Sequence, residues 1–201
     1  MNYYIELTLL DQPDLMCFEL WSKVYLQLHI AFVEHKDEQQ KVFFGVSFPQ
    51  YQYNQQKNIG SLGTKIRVFA QTKDQLEQLN LTRWLEHLTD YVHLTSVREV
   101  PQNVKGYAFY KRKQLKTGAP RLARRRVKRG DITYEEALAR YNQVVKTTNL
   151  PYVQLLSLST SNEQEKKSFK LFIEKESIEA VTQSEVFSCY GLSSVSAVPE
   201  F

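Results

Sequence analysis

One apolar stripe restricts the choice of fold more than any other feature of this chain. Phe18, Trp21, Tyr25, Leu28 and Phe32 recur at intervals of three and four, the spacing of one helix face. That spacing predicts a long helix opening near Asp14. Runs of strand character flank it, residues 3–10 (YYIELTLL) before and residues 42–48 (VFFGVSF) after, the second leading into a loop rich in Gln and Asn. Residues 65–70 (KIRVFA) read as a third strand. Residues 73–87 read as a second helix through Leu76, Leu79, Leu81, Trp84 and Leu85, and residues 91–97 as a fourth strand. Strand, helix, strand, strand, helix, strand is the ferredoxin-like order. The expected class is therefore α+β, with a ferredoxin-like domain over residues 1–100. That fold hosts many functions and assigns none.

After Pro101 the composition changes. The 201 residues hold 26 Lys and Arg against 22 Asp and Glu, a mild net charge of +4. Its distribution is not mild. Ten of the bases lie between Lys111 and Arg129 with no acid among them, so the other 16 bases face 22 acids and the rest of the chain carries −6. An acidic protein with one intense basic segment carries the footprint of a polyanion site. Pro120 suits the first turn of a helix and Gly130 its stop, which predicts a helix at about 120–129. Along it Arg121, Arg124, Arg125 and Lys128 fall at i, i+3, i+4 and i+7, with Arg129 at i+8 and Arg126 to the side. Spacings that normally carry a core stripe here carry cations, with Leu122 and Val127 as the expected anchors. Such a ridge suits phosphates on either side of the helix, but does not choose between DNA and RNA.

Thr133-Tyr134-Glu135-Glu136 has the form of a capping box and predicts a helix from 134 to about 146. Two helices joined by Gly130-Asp131-Ile132 resemble a helix-turn-helix, yet the second, which would enter the groove, begins with Glu135 and Glu136. Residues 152–158 and 169–174 read as strands, and an apolar stretch at 186–190 precedes a Ser-rich tail. Lys105-Gly106-Tyr107-Ala108-Phe109 satisfies the first five positions of the RNP1 consensus, then departs at Tyr110 and Arg112. It follows the βαββαβ unit instead of lying within it, so an aromatic-rich strand is the expected reading.

Cys17 and Cys189 lie far apart, and His29, His35, His87 and His93 form no ligand-spaced pair. Neither a metal site nor a cofactor is expected. No run approaches the ~18 apolar residues of a membrane span, and the acids near the N-terminus argue against a signal peptide, so a cytoplasmic protein is expected. His29 sits on the shoulder of the first helix's apolar face. It reads either as a packing residue or as a general base, since neutral imidazole is the side chain best poised to take a proton near pH 7.

The pieces QLHIAF (27–32), GVSFP (45–49), RKQ (112–114), RLARRRVKRGDITYEEA (121–137), LPYVQLLSLST (150–160), FKLFI (169–173) and FSCYGLS (187–193) occur in this order. Together they resemble the type I-F CRISPR endoribonuclease family, which cuts precursor CRISPR RNA into guides. The resemblance implies that His29 is the catalytic histidine, that Ser157 holds the attacking ribose, and that Tyr190 orients the histidine or the backbone at the cut. It implies that Ser159 contacts the RNA nearby and that Phe169 stacks on a base beside the stem. Arg121, Arg124, Arg125, Lys128 and Arg129 would lie in the stem's major groove, with Arg112 and Gln114 reading base edges at its foot. The region 101–201 is then an α/β RNA-binding region. The implied partners are the repeat hairpin, the mature guide RNA and the other subunits of the type I-F Cascade complex, with no membrane and no homo-oligomer required. A hairpin-binding protein or RNA chaperone without catalysis is the alternative. Lys128 stands where the family pattern suggests arginine, and only Gly191 remains of the glycine-rich loop common near the C-terminus of related enzymes.

Overall fold

Strand residues that alternate between core and solvent build the first sheet of the computed structural model, which describes residues 1–13, 15–57, 59–114, 119–144, 148–157, 168–182 and 184–201. Its contacts divide the chain into Met1–Arg112 with Leu150–Phe201, and Lys113–Asn149. Where the sequence reading drew one boundary near residue 100, the larger unit takes strands from both halves. The class is α+β.

In the larger unit, β1 (Tyr3–Leu9) buries Ile5, Leu7 and Leu9 on one face. α1 (Cys17–Glu34) follows, burying Leu20, Trp21, Val24, Tyr25, Leu28, Ala31 and Phe32. Asp14 lies outside the described residues. Phe18, expected in the stripe, is 59% exposed. At 100° per residue it falls roughly 90° off the centre of the buried face, on the same shoulder as His29.

The run at 42–48 is not one strand. β2 (Lys41–Val42) and β3 (Gly45–Ser47) belong to different sheets, and Phe43 between them is exposed. The Gln- and Asn-rich stretch holds a small hairpin, β4 (Gln52–Asn54) with β5 (Ile59–Ser61). β6 (Lys65–Ala70) matches the expected strand. The second helix is broken: α2 (Lys73–Leu79), capped by a Thr72/Gln75 box, ends at Asn80, whose left-handed φ of 46° restarts the chain as α3 (Leu81–Trp84). The last expected strand is β7 (Val92–Leu94) and β8 (Arg98–Glu99). The sheet order is β3-β6-β1-β7, antiparallel throughout, with β8 paired to the other end of β1.

A second sheet completes this unit, in the order β10-β11-β9-β13. β9 (Gly106–Lys113) is the strand opened by the RNP1-like residues. β10 (Tyr152–Leu156) stops short of the expected 158, which lies outside the described residues, and β11 (Ser168–Ile178) runs longer than expected. β12 (Phe187–Ser188) pairs with β2, and β13 (Val198–Glu200) with β9. The end of the Ser-rich tail is therefore core: Ser196, Ala197, Val198 and Pro199 are buried, whereas Ser194 and Val195 before them are exposed. The Ser196 hydroxyl donates to the Val186 carbonyl at 2.8 Å. α1 packs against β10.

The smaller unit holds α4 (Ala119–Val127) and α5 (Tyr134–Val144), packed on each other. The capping box forms as expected, with Glu136 N–H on Thr133 Oγ1 and Thr133 N–H on Glu136 Oε2, both at 3.2 Å. Gly130 ends the preceding turn at φ +81°. The anchors differ from expectation: Ala119, Ala123 and Ala137 are buried, whereas Leu122 and Val127 are only half-buried. Small side chains bring the two helices close.

Candidate active site

FSCYGLS folds as a tight turn. Ser188 N–H donates to the Leu192 carbonyl at 2.9 Å, and Gly191 N–H to the Ser188 carbonyl at 2.8 Å. Gly191 takes φ +70°, and a Cβ there would meet Val46 Cγ1 at 2.6 Å. Only glycine fits both the conformation and the space. The turn thereby presents three successive carbonyls: Cys189's to His29 Nδ1 at 2.8 Å, Tyr190's to the Tyr25 hydroxyl at 2.8 Å, and Gly191's to Val46 N–H at 3.0 Å.

His29 and Tyr190, 161 positions apart in the sequence, stack with ring centroids 4.3 Å apart and planes 10° apart. A carbonyl only accepts, so the Nδ1 facing Cys189 carries the proton and the neutral ring keeps its lone pair on Nε2. Burial holds the His29 pKa below the usual histidine value. The Arg112 guanidinium adds to that, against the opposing pull of the Cys189 carbonyl. The neutral, proton-accepting form is favoured.

Arg112 and Phe169 border the stacked pair. The Arg112 guanidinium lies 5.2 Å from the Tyr190 ring centre and 5.4 Å from that of Phe169, and the two rings meet edge-on at 6.4 Å. Ser157 follows β10 directly. Val153 and Leu155 bury the face it continues, and Leu155 is the register partner of Phe169. Ser157, Phe169 and Arg112 thus lie at one end of three neighbouring strands, and Ser157 is half-buried. Ser159 lies outside the described residues.

Arg121, Arg124 and Arg125 are exposed on α4, and Lys128 and Arg129 are exposed in the turn after it. Arg126, off the ridge, is half-buried and pairs with Asp131. Gln114, beyond β9, is exposed. No three His, Cys, Asp or Glu side chains gather as metal ligands do among the described residues. None of the described helices is long and apolar enough to cross a membrane.

Sequence reasoning missed two participants. The Cys189 carbonyl that fixes the imidazole is a backbone group, invisible to motif reading. Tyr25 was legible only as core. Its place one turn before His29 was the available signal.

The larger unit thus holds a stacked, tautomer-fixed histidine beside an arginine, and the smaller unit a ridge of exposed cations. Comparison with known proteins gives the family. Residues 4–201 match the family model described as CRISPR-associated protein (Cas_Csy4). The chain is 32% identical over 202 residues to the CRISPR-associated endonuclease Cas6/Csy4 of Pseudomonas aeruginosa (strain UCBPP-PA14), covering 100% of both. It is 31% identical to the protein of the same name from Escherichia coli (strain UTI89 / UPEC), again covering 100% of both. The chain belongs to the Cas_Csy4 family, and its class is that of the CRISPR-associated endoribonucleases.

Proposed function

We propose that this protein cleaves precursor CRISPR RNA at the 3′ base of each repeat hairpin, without a metal ion, and keeps the product. The observation that carries this reading is the imidazole of His29, whose Nδ1–H is committed to the Cys189 carbonyl while Nε2 keeps its lone pair. RNA supplies its own nucleophile. His29 Nε2 takes the proton of the 2′-OH, O2′ forms a bond to phosphorus, and the bond from phosphorus to O5′ breaks. A proton from the imidazolium or from water completes the leaving 5′-OH, and a 2′,3′-cyclic phosphate remains. Ser157 holds the ribose, with Ser159 on the RNA close by. Tyr190 keeps the imidazole plane in place, and holding O2′ in line supplies much of the acceleration.

Binding follows from the other residues. Arg121, Arg124, Arg125, Lys128 and Arg129 meet the phosphates of the stem. Arg112 and Gln114 suit guanine and adenine edges, the pairings that edge geometry favours, and Phe169 stacks on a neighbouring base. An A-form major groove admits side chains poorly, so the substrate is a short stem whose groove is reachable from its ends. The sheet order β3-β6-β1-β7 supports a ferredoxin-like domain carrying His29, with the RNA-binding residues after position 100. Retained product makes the protein a subunit of the type I-F surveillance complex, working in the cytoplasm.

The test is cleavage of a repeat hairpin in EDTA by wild type and His29→Ala. Wild type should cut, His29→Ala should bind without cutting, and a 2′-deoxy nucleotide at the cut should block wild type. Tight binding by wild type with the RNA left intact would establish a hairpin-binding protein instead.

A further inference from the structure

We infer that Tyr25 is a positioning residue for His29, acting through the carbonyl of Tyr190; this rests on the reading of His29 as the catalytic base. Tyr25 and His29 stand four residues apart on α1, on the same side of the helix and one turn from each other. Their polar atoms take the carbonyls of two consecutive residues, Tyr190 and Cys189, each at 2.8 Å. Val46 N–H on the Gly191 carbonyl and the pairing of β12 with β2 hold the two ends of the turn. Between them, the two bonds from α1 set the orientation of the Cys189 and Tyr190 peptides, and with it both the Tyr190 ring over the imidazole and the carbonyl that sets the imidazole's tautomer.

Packing alone does not call for the hydroxyl. Tyr25 is fully buried, and its ring stacks on Phe48 with centroids 6.2 Å apart, a contact that phenylalanine would make equally well. A buried phenol needs a partner, and here the partner is the turn that carries the site. Burial pushes this phenol well above the usual tyrosine range, so it remains a neutral donor wherever His29 titrates.

The experiment compares Tyr25→Phe with wild type and with Tyr51→Phe, which removes another tyrosine hydroxyl from a backbone carbonyl, that of Ile173 at 3.0 Å. The single-turnover cleavage rate of a repeat hairpin, its dissociation constant and the 15N spectrum of the histidine imidazoles in free protein are measured. The His29 signals are identified by their loss in His29→Ala. Tyr25→Phe should cut about 10- to 100-fold more slowly, bind within about twofold of wild type, and lose the single Nδ1–H tautomer of His29. Tyr51→Phe should do none of these. p-Aminophenylalanine at position 25 keeps a donor at the same place on the ring and should restore rate and tautomer together.

An unchanged tautomer in Tyr25→Phe, at whatever rate, overturns the proposal. So does a loss of binding or of folding in Tyr25→Phe that p-aminophenylalanine does not restore, because the role is then structural. The spectrum needs no RNA. If wild type fails to cut the hairpin, the functional reading falls, and the tautomer comparison still decides whether Tyr25 orients His29.

Discussion

The turn at residues 188–192 and the ridge on α4 are both written in short, distinctive sequence, and they are built on opposite principles. In the turn, three successive carbonyls are each taken by a donor from elsewhere in the fold, and glycine is the residue that fits its corner. On the ridge, five cations stand in solvent over a helix fastened through small buried residues, Ala119 and Ala123. The contrast fits the proposed roles: chemistry at one bond demands fixed angles and over-determined residues, whereas attraction to phosphates acts over several ångströms and asks only that cations be present and exposed.

Removing the imidazole that the turn holds tests that contrast most severely. His29→Ala should slow cleavage by about 10²- to 10⁴-fold, the usual worth of a positioned general base, while the hairpin's dissociation constant stays within about twofold. Equal losses in both would mean that the two regions are not separable. The double variant Arg124→Ala/Arg125→Ala should do the reverse. Its affinity should fall, and the slope of log affinity against log salt should flatten by about two. The cleavage rate at saturating enzyme should stay near wild type.

Gly191→Ala probes the corner itself. The strained φ and the contact with Val46 should cost about 1–3 kcal/mol, read as a lower midpoint of denaturant unfolding at unchanged slope. Thr133→Ala, at the cap of α5, should cost about 1 kcal/mol and leave the cleavage rate of bound RNA untouched.

The smallest effect is a displacement on the pH axis. His29 is held below the ordinary histidine value by burial first and by Arg112 after it. The cleavage rate should therefore fall on the acid side with a midpoint below 6.5, as protonation removes the Nε2 lone pair, and level off at higher pH. Arg112→Gln should move that midpoint upward, because it takes away a charge that opposes the imidazolium. The same sign governs stability. The unfolded chain binds the proton more readily, so His29's contribution to folding is fully present above the unfolded value and declines as pH falls through the window between the two.

What could be read in advance follows from the same contrast. The α1 stripe, β6, the capping box and the cationic ridge are local patterns with periods of their own, and each appears within a few residues of its expected place. Departures came where tertiary context decides. The run at 42–48 is apolar enough to be one strand, but its two ends pair with different partners, β12 and β6. Residues 73–87 keep a helical pattern across Asn80 although the backbone turns left-handed there. Leu122 and Val127 looked like anchors by hydropathy, whereas the close approach of α4 and α5 is made by alanines. At the site, family resemblance pointed to His29 and Tyr190. That a backbone carbonyl would fix the imidazole, and that a core tyrosine would hold the next carbonyl, depends on contacts between residues more than 150 positions apart.

That separation has a consequence for the protein's birth. The bond from His29 to Cys189 spans 160 residues. At 5–20 residues per second, roughly 8 to 32 seconds of translation separate the two partners. The arginines of α4 leave the ribosome within that interval. A nascent chain can present its basic helix before its imidazole has a carbonyl to fix it.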